Sequence, residues 1–159
     1  MDDSTLTSAE RRLLVELEAR GVRYLIVGMS AALLQGARGS TEDIALWFES
    51  TSDPRIAEAV RAAGGIWISG SFGMGPPRIG GDALSERFDV VVHLSGLESF
   101  DVEYRGVRRE LLDGLEVPVL PLARILASKR AAGRAKDLAA AHGLEDALLL
   151  LEQGEPRDE

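Results

Sequence analysis

The chain has 159 residues, 45% of them hydrophobic and 28% charged, with a formal net charge of −8 and no cysteine, which describes one soluble domain over residues 1–159 with flexible stretches at 1–6 and 154–159. The acidic balance argues against broad nonspecific nucleic-acid binding, although a local basic patch can still hold a triphosphate or an RNA end. No apolar run approaches the roughly 20 residues of a membrane-spanning helix, and the absence of disulfides, thiolate sites and a basic leader makes a cytoplasmic setting the expectation.

Thr7-Ser8-Ala9-Glu10 is a capping-box pattern, and Leu13, Leu14 and Leu17 follow at helical spacing until Gly21 stops the helix. Tyr24-Leu25-Ile26-Val27 is a continuous apolar run bounded by Gly28, so it is predicted as a buried strand. A short helix is expected over Ala31–Gln35, then a polar loop, then a second strand over Asp43–Phe48. Ile56 and Val60 mark an amphipathic helix ahead of Gly64-Gly65, and Ile66-Trp67-Ile68 a short strand.

The Gly-rich stretch Ser69–Gly81, with Pro76-Pro77, reads as a long loop, and no Gly-Lys-Ser/Thr follows to make it a phosphate loop. Phe88–Leu94 is the strongest β-run, rich in β-branched residues. Val107–Leu111 and Leu115–Val119 can pair across Asp113-Gly114, a favourable hairpin turn. Pro121 suits the first turn of a helix carrying Ile125, Leu126 and Lys129. Two further helices are expected, Ala135–His142 ending at Gly143, and one starting at Leu144.

Two segments stand out. The first is Val27-Gly28-Met29-Ser30-Ala31 followed by Gly36-Ala37-Arg38-Gly39-Ser40-Thr41-Glu42-Asp43-Ile44-Ala45-Leu46-Trp47-Phe48. The second is Lys129-Arg130-Ala131-Ala132-Gly133-Arg134-Ala135-Lys136-Asp137-Leu138. Read without context, Asp43 is a strand-end turn residue, Asp89 a surface charge on a strand, and the basic cluster a solvated helix face. His93 and His142 lack metal-ligand spacing, and Trp47 and Trp67 sit in strand runs as core or rim residues.

In order and content the two segments resemble the minimal nucleotidyltransferase families, relatives of nucleotidyltransferase toxins and antibiotic-modifying enzymes. Those families read approximately as an apolar strand, Gly-Gly or Gly-Ser, a helix, and Thr-x-Asp-x-Asp-apolar, with a later Lys, Gly-Arg-x-Lys-Asp-Leu helix pair. Thr41, Asp43 and the apolar residues after them match, whereas the second aspartate is replaced by Ala45. Met29 stands where a second glycine is common, and Gly39 where many relatives have Arg.

The resemblance implies an α/β fold of nucleotidyltransferase type, a small mixed β-sheet flanked by helices. The implied ancestral activity is transfer of a nucleoside monophosphate from an NTP to a hydroxyl on an RNA, a protein or a small molecule. Residues i and i+2 of a strand share a face, so an Asp-x-Asp pair aims two carboxylates at one ion cluster, and a third Asp on the next strand completes it. Here Asp43 would take the first place and Asp89 the third, leaving a weakened two-carboxylate Mg2+ site. Gly28, Ser30 and Thr41 would face the nucleotide, with Ser30 supplying a hydroxyl or capping the helix, and Lys129 with Arg134 would balance the phosphate charge. Lys136 and Asp137 would lock the two helices by capping and ion pairing.

Ala45, whether a deliberate replacement or a natural loss, implies an inactive or weakly active protein. A non-catalytic interaction module, such as the antitoxin or regulatory half of a two-component toxin–antitoxin pair, is the alternative.

Overall fold

The structure, a computed structural model, describes residues 5–70, 75–84 and 86–154. Its centre is β1 (Tyr24–Val27), whose four residues are all buried, with a strand on each edge and a helix packed against it. Strand β2 (Ile44–Phe48) runs antiparallel beside it, with Tyr24 opposite Phe48 and Val27 opposite Ala45. The hairpin of β6 (Arg108–Leu112) and β7 (Leu115–Val119) turns at Asp113-Gly114, and β7 lies parallel to β1. Strand β5 (Phe88–Val91) closes the other side, parallel to β2. The sheet order is β5-β2-β1-β7-β6, a mixed five-stranded sheet, and β3 (Ile66–Ile68) pairs with β4 (Arg78–Gly80) in a separate two-stranded sheet.

The period-2 rule shows in β2: Ile44, Leu46 and Phe48 are buried, whereas Ala45 and Trp47 on the other face are half-buried. Burying side chains such as Leu25, Ile26 and Leu46 stabilises the sheet by about 1.5–3 kcal/mol each. On that face Trp47 meets Phe100 edge-to-face with centroids 5.2 Å apart. Helix α1 (Ser8–Ala19) has the capping box foreseen at Thr7 and Glu10, and packs on α3 (Pro54–Ala62). Helix α2 (Gly28–Leu34) packs on β1, β2 and α5 (Leu122–Ala132), and α5 packs on α6 (Ala135–Gly154).

Buried Gln35 joins these layers. Its amide nitrogen donates to the carbonyls of Ala31 (3.0 Å) and Leu120 (2.8 Å), and its oxygen accepts from the N–H of Leu122 (2.9 Å), the first residue of α5. Helix α4 (Phe100–Tyr104), capped by Ser99, is tied to α5 through Glu103 and Arg124.

Several sequence expectations need correction. Helix α2 begins at Gly28, directly off the strand, and Ser30 does not cap it. Helix α6 runs through Gly143 as one helix, because its inner residues Ala141, Leu144 and Ala147 stay buried, and that burial outweighs the roughly 1 kcal/mol a helical glycine costs. The expected loop Ser69–Gly81 contains β4, whose Ile79 is buried; residues 71–74 of that stretch lie outside the described residues. Strand β5 stops at Val91, which leaves His93 beyond its end. Leu6 is packed and its N–H donates to Asp113 at 3.0 Å, so the flexible start is not at residue 6; residues 1–4 and 155–159 lie outside the described residues.

Candidate active site

The register of three strands builds the site. Val27 lies opposite Ala45 on β1 and β2, and Ala45 lies opposite Asp89 on β2 and β5. Gly28 follows Val27 with φ +63°, a left-handed conformation that favours glycine, and a Cβ placed there would lie 3.9 Å from the Ala45 methyl. Gly28, Ala45 and Asp89 therefore form a row across the sheet, with Asp43 two residues before Ala45. The sequence pattern placed Asp43 and Asp89 on neighbouring strands, but the direct partner of Asp89 is Ala45. Position 45 is thus the centre of the row rather than its margin.

Asp43 and Asp89 are both exposed and line one open cleft of about 600 Å3 between β5 and the β3–β4 sheet, together with Asp82, Glu86 and Arg78. Neither carboxylate has a side-chain hydrogen bond or ion pair among the described residues. Thr41 turns inward on its own loop, where its hydroxyl lies 3.3 Å from the Asp43 carbonyl and 3.4 Å from the Asp43 N–H. Arg87 holds the start of β2: its guanidinium donates to the Glu42 carbonyl at 2.8 Å, and the Arg87 carbonyl accepts from the Ile44 N–H. Nothing in the sequence pattern singles out Arg87, since it lies outside both motifs.

Ser30 is buried and occupied. Its hydroxyl donates to the Val27 carbonyl at 2.8 Å and accepts from the Ala45 N–H at 3.1 Å. It staples the Gly28 turn to β2, so it fixes the row rather than facing a ligand.

On the other side of the row, Gly28 lines a second cavity of about 440 Å3 with His93, Ser95, Ser128, Lys129 and Arg134. The left-handed Gly133 ends α5, and the chain turns back into α6 so that two cations converge. The Asp137 carboxylate, 1% exposed, accepts from Arg134 at 2.6 Å and from Lys129 at 3.4 Å. The Arg134 guanidinium, followed by burial acting the other way, leaves the Asp137 carboxyl below its usual range. Asp137 thereby performs the locking role expected of it, while Lys129 remains 27% exposed toward the cavity and Arg134 63% exposed at its rim. Lys129 and Asp43 line different cavities, with Gly28 in the lining of the first and Asp89 in that of the second.

Among the described residues no group of three or more His, Cys, Asp or Glu is arranged to hold a metal ion. Asp43 and Asp89 nevertheless fit Mg2+ by donor type: magnesium is commonly held by one or two carboxylates with substrate phosphates completing the shell.

The chain matches no protein-family model and no curated protein. Among solved structures it is similar to the solution structure of the antibiotic-resistance factor ANT(2'')-Ia, with a TM-score of 0.61 and 12% identity over 92% of this chain and 88% of that one. It is also similar to the crystal structure of ANT(2'')-Ia in complex with adenylyl-2''-tobramycin, with a TM-score of 0.57 and 15% identity over 90% of this chain and 92% of that one. Likeness at such identities establishes the fold, which is of nucleotidyltransferase type.

Proposed function

We propose that this chain binds a nucleoside triphosphate and is built to transfer its monophosphate to a hydroxyl of a small molecule, an activity that Ala45 leaves weak. The observation that carries the reading is the Gly28–Ala45–Asp89 row, with a basic cavity on one side and a carboxylate-lined cleft on the other. The triphosphate lies in the Gly28, Lys129 and Arg134 cavity, where the cations offset its charge. The acceptor enters the Asp43–Asp89 cleft, whose volume falls in the range of small-ligand sites. The adenylylated tobramycin of the similar structure supports a small-molecule acceptor, and the net charge of −8 disfavours a polyanionic one.

In the reaction the acceptor oxygen bonds to the α-phosphorus, the bond to the β-phosphate bridging oxygen breaks, pyrophosphate leaves, and the hydroxyl proton passes to solvent. Asp43 and Asp89 would hold Mg2+, which when bound supplies charge neutralisation at the phosphate oxygens. Ser30 and Arg87 keep the row and the β2 start in place. With Ala at the central position, Asp43 and Asp89 alone would hold the ion less tightly, and part of the transition-state stabilisation would be lost.

Thermal unfolding with each ribonucleoside triphosphate and magnesium tests the binding step. A rise in Tm with at least one NTP, reduced in Lys129→Met, is the expected result. No rise with any NTP would favour an interaction module that binds no nucleotide.

A further inference from the structure

Resting on the nucleotide reading of the basic cavity, we propose that His93, with the hydroxyls of Ser95 and Ser128, forms the third wall of that cavity and donates to the distal phosphates of the triphosphate. Charge is the first reason. Lys129 and Arg134 both sit on the Asp137 carboxylate, so two cations against one anion leave one net positive charge, less than a triphosphate needs. Further donors must come from the rest of the lining.

Position is the second reason. Strand β5 ends at Val91, and the chain beyond it bends toward α5, bringing His93 and Ser95 to the cavity that Gly28, Lys129 and Arg134 line. Gly96 allows this approach: its φ is +72°, and a Cβ there would come within 2.4 Å of the Ala131 methyl. Glu103 fixes the far end of the segment by accepting from the Glu98 N–H at 2.8 Å. The segment is thus seated on α5 by backbone contacts that leave its polar side chains unused.

Availability is the third reason. His93 is exposed, and the side chains of His93, Ser95 and Ser128 have no hydrogen-bond partner among the described residues. These three uncommitted donors converge on one cavity beside two cations, an arrangement suited to phosphate oxygens. Leu120 and Ile125, which also line the cavity, have no polar side-chain atom to engage them. His93 shares no cleft with Asp43 and Asp89, so it serves the phosphates away from the reacting α-phosphorus and acts as a positioning residue.

The chain has two histidines, His93 and His142, so histidine side-chain NMR resolves the question directly. Titration of the full chain with the magnesium complex of its best-binding ribonucleoside triphosphate should shift the His93 imidazole signals and leave those of His142, on the exposed side of α6, in place. His93→Ala should weaken that NTP about tenfold, the worth of one hydrogen bond to a charged group. It should leave the corresponding nucleoside monophosphate unaffected and the Tm of the free protein unchanged. His93→Gln, which keeps an N–H donor, should recover part of the loss. Unaltered NTP affinity in His93→Ala, with Lys129→Met weakened, would overturn this inference and spare the nucleotide reading. No NTP binding by the unaltered protein would overturn both.

Discussion

Glu103→Gln removes the anion that holds α4 and the segment before it against α5. The Glu103 carboxylate accepts from Arg124 Nε at 2.9 Å and Nη2 at 2.7 Å, and from the Glu98 N–H at 2.8 Å. Its side chain is 4% exposed and that of Arg124 39%, so the pair lies between a buried and a surface ion pair. Breaking a fully buried pair costs about 3–5 kcal/mol and an exposed one under about 1 kcal/mol. Discounted for the solvent around Arg124, the expected loss is about 1–3 kcal/mol, or roughly 2–4 °C in Tm per kcal/mol for a chain of this size.

The sign of the pH dependence is defined. The Arg124 hydrogen bonds leave the Glu103 carboxyl below its ordinary value despite burial acting the other way. Its stabilisation is therefore complete above the unfolded pKa of about 4.3 and disappears as pH falls through the lower folded value. Thermal or urea unfolding should show the full difference between the unaltered chain and Glu103→Gln at pH 7, shrinking in acid below about pH 4. Equal stability at pH 7, or a difference that acid leaves untouched, would refute the ion-pair reasoning.

Gln35→Leu keeps the volume but strands the carbonyls of Ala31 and Leu120 and the N–H of Leu122, and should cost at least about 2 kcal/mol in urea unfolding. Gly143→Ala should stabilise by about 0.5–1 kcal/mol, because nothing lies within 4 Å of the added methyl and α6 is continuous there. A loss of stability in Gly143→Ala would mean the helix breaks at Gly143.

Local signals made much of the fold legible. Thr7 and Glu10 announce α1, the unbroken run Tyr24–Val27 announces a strand covered on both faces, and Asp113-Gly114 marks the hairpin. The misses have tertiary causes. Gly143 reads as a stop, yet Leu144 and Ala147 are held in one helix with Ala141 by packing on α5. Strand β4 hides in a Gly- and Pro-rich stretch because pairing with β3 and burial of Ile79 are nonlocal. Ser99 ahead of Phe100 was a usable cap signal for α4, but a five-residue helix leaves no periodicity.

At the site, the motif order pointed to Gly28, Asp43, Asp89, Lys129 and Arg134, which the structure distributes over two cavities. The register that sets Ala45 between Val27 and Asp89 was not legible, since spacing along one strand says nothing about its neighbour's offset. Ser30 illustrates the same limit: its hydroxyl, two residues after Gly28, reads as a nucleotide contact or a helix cap, and only the fold shows it bonded to Val27 and Ala45.

Transfer by Ala45→Asp tests the central claim most directly. A carboxylate at position 45 would stand beside Asp89 across the strand pair, about 5 Å away, and two residues along the chain from Asp43. A metal-bound charge stabilisation of several kcal/mol corresponds to orders of magnitude in rate. The unaltered chain and Ala45→Asp are incubated with magnesium, each α-labelled NTP, and a panel of hydroxyl-bearing small molecules alongside total RNA and protein. The expected result is labelled small-molecule product from Ala45→Asp at a rate at least roughly 100-fold above the unaltered chain. A folded Ala45→Asp protein that binds magnesium–NTP no more tightly than the unaltered chain and labels no acceptor would contradict it.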